Sequence, residues 1–113
     1  MALTADGLNA AASGIASVAT YLGLVDDVGT ELTGGSPAYA RKPVTWTSPV
    51  GGLIRPTADA DFNVPPATTV GGWRTYSAST AGTNYGGEDL TNETFTGQGT
   101  YTLLAASTGI DVD

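Results

Sequence analysis

The chain reads as a mainly β protein, an antiparallel β-sandwich of jelly-roll or immunoglobulin-like type with a short N-terminal α-helix. Three observations predict this. Apolar residues alternate with Thr, Ser and Asn over several short runs, which is the period of strands. Turns rich in Gly, Pro and Asn separate those runs at roughly 8–12-residue spacing, as in sandwiches and barrels. Only the first segment carries a helical period, and no strand–helix–strand alternation follows that would build a parallel sheet. The 113 residues suffice for one modest core. A single domain is therefore expected over 1–113, with a helix or arm at 1–19 and the sandwich at 20–113.

Residues 3–19, LTADGLNAAASGIASVA, place Leu3, Leu8, Ala11 or Ala12, Ile15 and Val18 or Ala19 near one helical face. Thr4 is the expected N-cap, and Asp6 in the first turn suits the positive end of the helix dipole. Gly7 and Gly14 weaken the helix by about 1 kcal/mol each relative to Ala. The apolar stripe is thin and mostly alanine, so the helix needs a sheet or a neighbouring subunit to lie against. The period then changes to two. Residues 20–25 (TYLGLV) form the first expected strand, and 26–37 form a loop rich in Asp, Gly and Pro. Residues 40–48 (ARKPVTWTS) alternate Val44 and Trp46 with Thr45 and Thr47, and Pro43 and Pro49 mark an edge strand.

Residues 51–66 carry two short strands at most, the second alternating Phe62 and Val64 with Asp61 and Asn63. Residues 68–79 form a strand with Trp73, Thr75 and Ser77 on one face and Arg74, Tyr76 and Ala78 on the other. A hairpin turn is expected at 80–84, then a short strand and a loop over 85–99. Residues 100–107 (TYTLLAAS) are the clearest strand, and 108–113 can frame one more. The Gly-Gly pairs at 34–35, 51–52, 71–72 and 86–87 are irregularly spaced and read as turns and bulges that need positive φ.

The charge pattern narrows function. Charged residues make up 13% of the chain, against roughly 25% in ordinary soluble domains. The surface must therefore be Thr, Ser, Gly, Ala and Asn, which suits a protein packed against neighbours. Net charge is −7 with four basic residues, too few for the cationic stripe that nucleic acid or an anionic membrane requires. There is no cysteine and no histidine. Disulfides, thiolate sites and the commonest general base and metal ligand are thereby removed. No run approaches the ~20 apolar residues of a membrane span, and the N-terminus lacks the basic region of a signal peptide.

The remaining candidates for chemistry each have a plainer reading. Asp59 and Asp61 share a strand face and, with Asp26, Asp27, Glu88 or Asp89, offer oxygens to calcium. Alternation on a solvated strand explains the pair equally well. Glu31, Glu88, Asp89 and Glu93 could supply the two carboxylates of a glycosidase, yet all lie in Gly/Thr-rich segments. Ser36, Ser48 and Ser77 have no histidine, and a Ser–Lys dyad would need Lys42. Trp46, Trp73, Tyr76 and Tyr85 could stack on sugars, with Gly71 and Gly72 leaving room beside Trp73, or could belong to the core. Asn92-Glu93-Thr94 is a glycosylation sequon that matters only in a eukaryotic secretory setting. No enzymatic activity, metal or cofactor is expected.

Arg41 and Lys42 hold half the positive charge at one point of an acidic chain, next to a Trp-bearing strand. They are expected to form a docking point for acidic loops of a partner or of another copy. The expected partner interface is Arg41, Lys42 and Trp46 with the helix positions Leu3, Leu8 and Ile15.

Three segments carry a resemblance: MALTADGLNAAASGIASVATYLGL, then ELTGGSPAYARKPVTW, then YSASTAGTNYGG with ETFTGQGTYTLLAAS. In that order they resemble a family of small virion proteins of actinobacterial tailed bacteriophages, whose members are labelled tail-fibre, minor tail, virion-associated or head decoration proteins. The resemblance implies a non-enzymatic structural protein of the particle. The first expectation is a minor capsid or head decoration protein docked on the major capsid protein lattice, in many copies or as a homo-oligomer. The alternatives are a minor tail or tail-fibre component and a carbohydrate-binding module for host attachment. Localisation is then the virion, at the capsid surface or on the tail.

Overall fold

The computed structural model describes residues 3–112. The protein is mainly β, with antiparallel sheets and one N-terminal helix, as the sequence pattern predicts. Helix α1 spans Ala5–Val18, and the Thr4 side chain accepts a hydrogen bond from the Gly7 amide as its N-cap. Eight strands follow: β1 (Tyr21–Val25), β2 (Lys42–Pro43), β3 (Leu53–Ile54), β4 (Ala60–Val64), β5 (Thr68–Tyr76), β6 (Asn84–Phe95), β7 (Gly99–Leu103) and β8 (Ile110–Asp111). The main sheet has the order β2-β1-β5-β6, and two smaller ladders pair β4 with β7 and β3 with β8.

Strand β4 sets Phe62 and Val64 into the cluster formed by Leu22, Leu24, Val70 and Trp73 of the main sheet, and Leu103 of β7 joins them. The two layers therefore face each other across one apolar interior; β4 alternates buried and more exposed positions, whereas β1 is buried continuously over Leu22–Val25 and β5 over Val70–Trp73. Trp73 is 1% exposed. It is core, so the stacking platform considered for it does not exist, and Gly71–Gly72 do not open a ligand space beside it. A Cβ on Gly71 would lie 2.6 Å from the Asp26 carbonyl oxygen and 2.7 Å from the Asp27 Cα. The turn after β1 packs directly onto this strand. The pairs at 34–35 and 51–52 do have positive φ, as expected of turns.

Three segments differ most from expectation, besides the strand expected over 68–79, which ends at Tyr76. The 40–48 segment contributes only Lys42–Pro43 to a strand, plus an isolated bridge from Trp46 to Pro56. The 100–107 strand stops at Leu103, and Ala105–Ser107 turn into a 3-10 helix. The largest difference is β6. Residues 85–99 were expected to be a short strand and a loop, yet Asn84–Phe95 form a twelve-residue strand along the edge of the main sheet. Two irregularities let it follow β5, between Val70 and Gly72 and between Thr75 and Tyr76. Each adds residues on the β6 side that the partner lacks. Among the described residues no helix is long and apolar enough to cross a membrane.

Candidate functional site

Arg41 was expected on the surface. Its side chain is 9% exposed and is consumed within the fold. It donates from Nε to Glu31 Oε2 and from Nη2 to Glu31 Oε1, both at 2.8 Å. Its Nη1 donates to the carbonyls of Ala78 at 2.9 Å and Ala81 at 2.7 Å. The guanidinium carbon lies 3.6 Å from the centre of the Tyr76 ring. A planar five-donor fork satisfies a carboxylate and two loop carbonyls at once, which lysine cannot do. Tyr39 completes the group. Its hydroxyl donates to Glu31 Oε2 at 2.7 Å and accepts the Leu24 amide at 2.9 Å. It thus extends the β1 ladder beyond the short β2.

The protonation states follow from this packing. Burial pushes the Glu31 carboxyl upward, but hydrogen bonds from Arg41 and Tyr39, with the charge of Arg41, outweigh it and hold the group below its ordinary 4.5. Burial first, then the bond to Glu31, drives the Tyr39 hydroxyl far above the usual phenol range. Both groups keep one state near neutrality, so the cluster is a fixed clamp between the 26–41 segment and the β5–β6 hairpin turn. A cleft of about 250 Å³ beside it is lined by Glu31, Tyr39, Arg41 and Thr80 among others. It offers no proton donor or acceptor that titrates near pH 7.

The other arginines behave alike. Arg55 donates to the carbonyls of Ala106 and Thr108. Arg74 donates to the carbonyls of Trp73 and Glu88 and pairs with Asp89 at 3.0 Å. Lys42 is half-buried on β2 opposite Leu22, and among the described residues it is the one basic side chain with no ion pair or hydrogen bond. Arg41 and Lys42 are therefore placed differently, since Arg41 is bonded within the fold and Lys42 is not. Trp46 is half-buried against the core and donates from Nε1 to the Ala19 carbonyl at 2.7 Å, pinning the end of α1. Of the helix positions, Leu3 is exposed, Leu8 abuts Gly52 and Ile15 lines a cleft with Tyr85. The structure does not bring the six expected interface residues into one patch of free side chains.

The carboxylates proposed for chemistry also have local duties. Asp26 Oδ1 accepts the amides of Val28 and Thr30. Asp59 accepts the Ala105 amide, and Asp61 accepts the Thr102 hydroxyl. Among the described residues no group of three or more acidic side chains is placed to hold a metal ion. What remains outward is the β6 edge. Tyr85, Glu88, Asp89, Asn92 and Glu93 are all exposed on it. Sequence reading missed this feature because glycines and acids disguise β6 as a loop. The usable signal was Thr91, Thr94 and Phe95, residue types that favour strands. No protein-family model, curated protein or solved structure matches the chain.

Proposed function

We propose that this protein is a non-enzymatic structural component of a tailed-bacteriophage virion, a minor capsid or head decoration protein that sits on the major capsid protein lattice. One observation carries the reading. Three of the four basic side chains are bonded to backbone carbonyls within the fold, while the outer surface is left with carboxylates, Thr, Gly and Asn and an edge strand paired on one side. Such a surface suits lateral contact with neighbours repeated many times on a particle, where weak contacts gain from multiplicity. Its residual negative charge keeps finished particles apart. Exposed Asn, Thr and Gly are cheaper to desolvate against a shell than charges.

The decisive measurement is cryo-EM of whole virions, supported by co-sedimentation with empty capsids and with purified tails. Co-sedimentation with capsids in many copies per particle is the expected outcome. Binding to tails alone would reassign the protein to the tail. Absence from purified virions would end the proposal.

A further inference from the structure

We infer that the outer edge of β6 is a docking edge that takes an extended, Lys- or Arg-bearing segment of a partner protein as an added strand. This deepens the structural role proposed above, on which the identity of the partner rests. Among the described residues strand β6 pairs with β5 alone, and nine of its twelve residues are exposed. The Gly86 amide donates locally to Asn84 Oδ1; among the described residues no second strand pairs with the other side of β6, which leaves that side for pairing, the mode by which extended peptides add to sheets. Long edges are normally blunted by charge or bulges, and here the charge is of one sign only.

The two faces beside this edge agree on what the occupant must carry. Glu88 pairs with Trp73 and Asp89 with Gly72, so these two carboxylates point to opposite faces of the sheet. On the Glu88 face lies a cleft of about 340 Å³ that also holds Asp111, Ile15, Ile110 and the exposed ring of Tyr85. Among the described residues it contains two carboxylates and no cation. On the Asp89 face a cleft of about 310 Å³ holds Asp26, Asp27 and Asp89 against Arg74 alone. An added strand alternates its side chains between the two faces, so either parity meets net negative charge. The Ile15 and Ile110 walls accommodate an aliphatic stem, and Tyr85 presents a ring face to a cation. Gly86 and Gly87 lower the side-chain wall where the strand would approach.

A second copy of the chain would set the same acidic edge, with Glu88, Asp89 and Glu93, against itself, net negative against net negative. A basic strand meets that edge with complementary sign.

The test uses a capped ten-residue peptide of Lys, Thr and Val, its Glu-for-Lys counterpart, and a version N-methylated at alternate residues. The lysine peptide is expected to shift the amide resonances of Gly86–Asp89. Its affinity should fall about tenfold in Glu88→Gln/Asp111→Asn, little in Asp6→Asn/Asp59→Asn, and vanish on N-methylation. Equal loss in both double variants, or unchanged binding of the methylated peptide, would show diffuse charge attraction and overturn the inference. So would a concentration-dependent dimer abolished by Glu88→Lys, or glycan binding lost in Tyr85→Ala without peptide binding. Particles separate the two readings. If virions carry the protein and Glu88→Gln/Asp111→Asn attaches normally, the edge fails and the structural role stands. If the peptide binds as described and virions lack the protein, the role fails and the edge stands.

Discussion

Arg41 illustrates how little a residue type says about its use. In sequence it is half of a basic pair in an acidic chain. In space it joins Glu31, the Tyr76 ring and the carbonyls of Ala78 and Ala81. Arg41→Ala should lower the free energy of unfolding by about 2–4 kcal/mol in urea titrations, because it strands a partly buried carboxylate. Lys42→Ala should change it by less than about 0.5 kcal/mol. Tyr39→Phe leaves the Leu24 amide without its partner, at a cost of about 1–3 kcal/mol. The pH dependence follows from Glu31. Its folded value lies below its ordinary 4.5, so its contribution is complete above that ordinary value. The contribution is lost as pH falls through the lower folded one. Glu31→Gln should flatten this part of the acid limb in a series of urea titrations from pH 6 downward; an unchanged limb would show that Glu31 is not coupled to folding.

At the scale of elements, two glycines make opposite predictions. A Cβ on Gly14 would meet nothing within 4 Å in the middle of α1. Gly14→Ala should stabilise the protein by about 0.5–1 kcal/mol through helix propensity and a less flexible unfolded chain. Gly71→Ala places its methyl against the Asp26 and Asp27 backbone. It should instead lower the melting temperature and disturb the 26–30 turn. The helix was legible because its cap, period and glycines are local signals. Strand β5 was legible for the same reason, with Trp73 and Tyr76 in a pleated run. The length of β6 was not legible, since Glu88, Asp89 and the glycine pair have weak strand preference. They are held extended by hydrogen bonding to β5.

At the scale of the whole molecule, self-repulsion of a −7 chain opposes compaction. Raising ionic strength from about 0.01 to about 0.15 M shortens the screening length from about 30 to about 8 Å. The melting temperature by calorimetry should therefore rise with salt, and a fall would mean that the internal Arg staples outweigh surface repulsion.

Sequence alone determined the fold class, the helix and its Thr4 cap, most strand positions and the acidic, charge-poor surface. These depend on local periodicity and composition, which short stretches carry in full. Tertiary structure alone decided that Arg41 and Trp46 face inward, that Trp73 is core and that β6 runs along an edge paired on one side only. Each of those outcomes depends on partners distant in the chain, such as Arg41 with Ala78 and Ala81 or Trp46 with Ala19. A side chain's environment is set by what folds against it, and no local pattern encodes that.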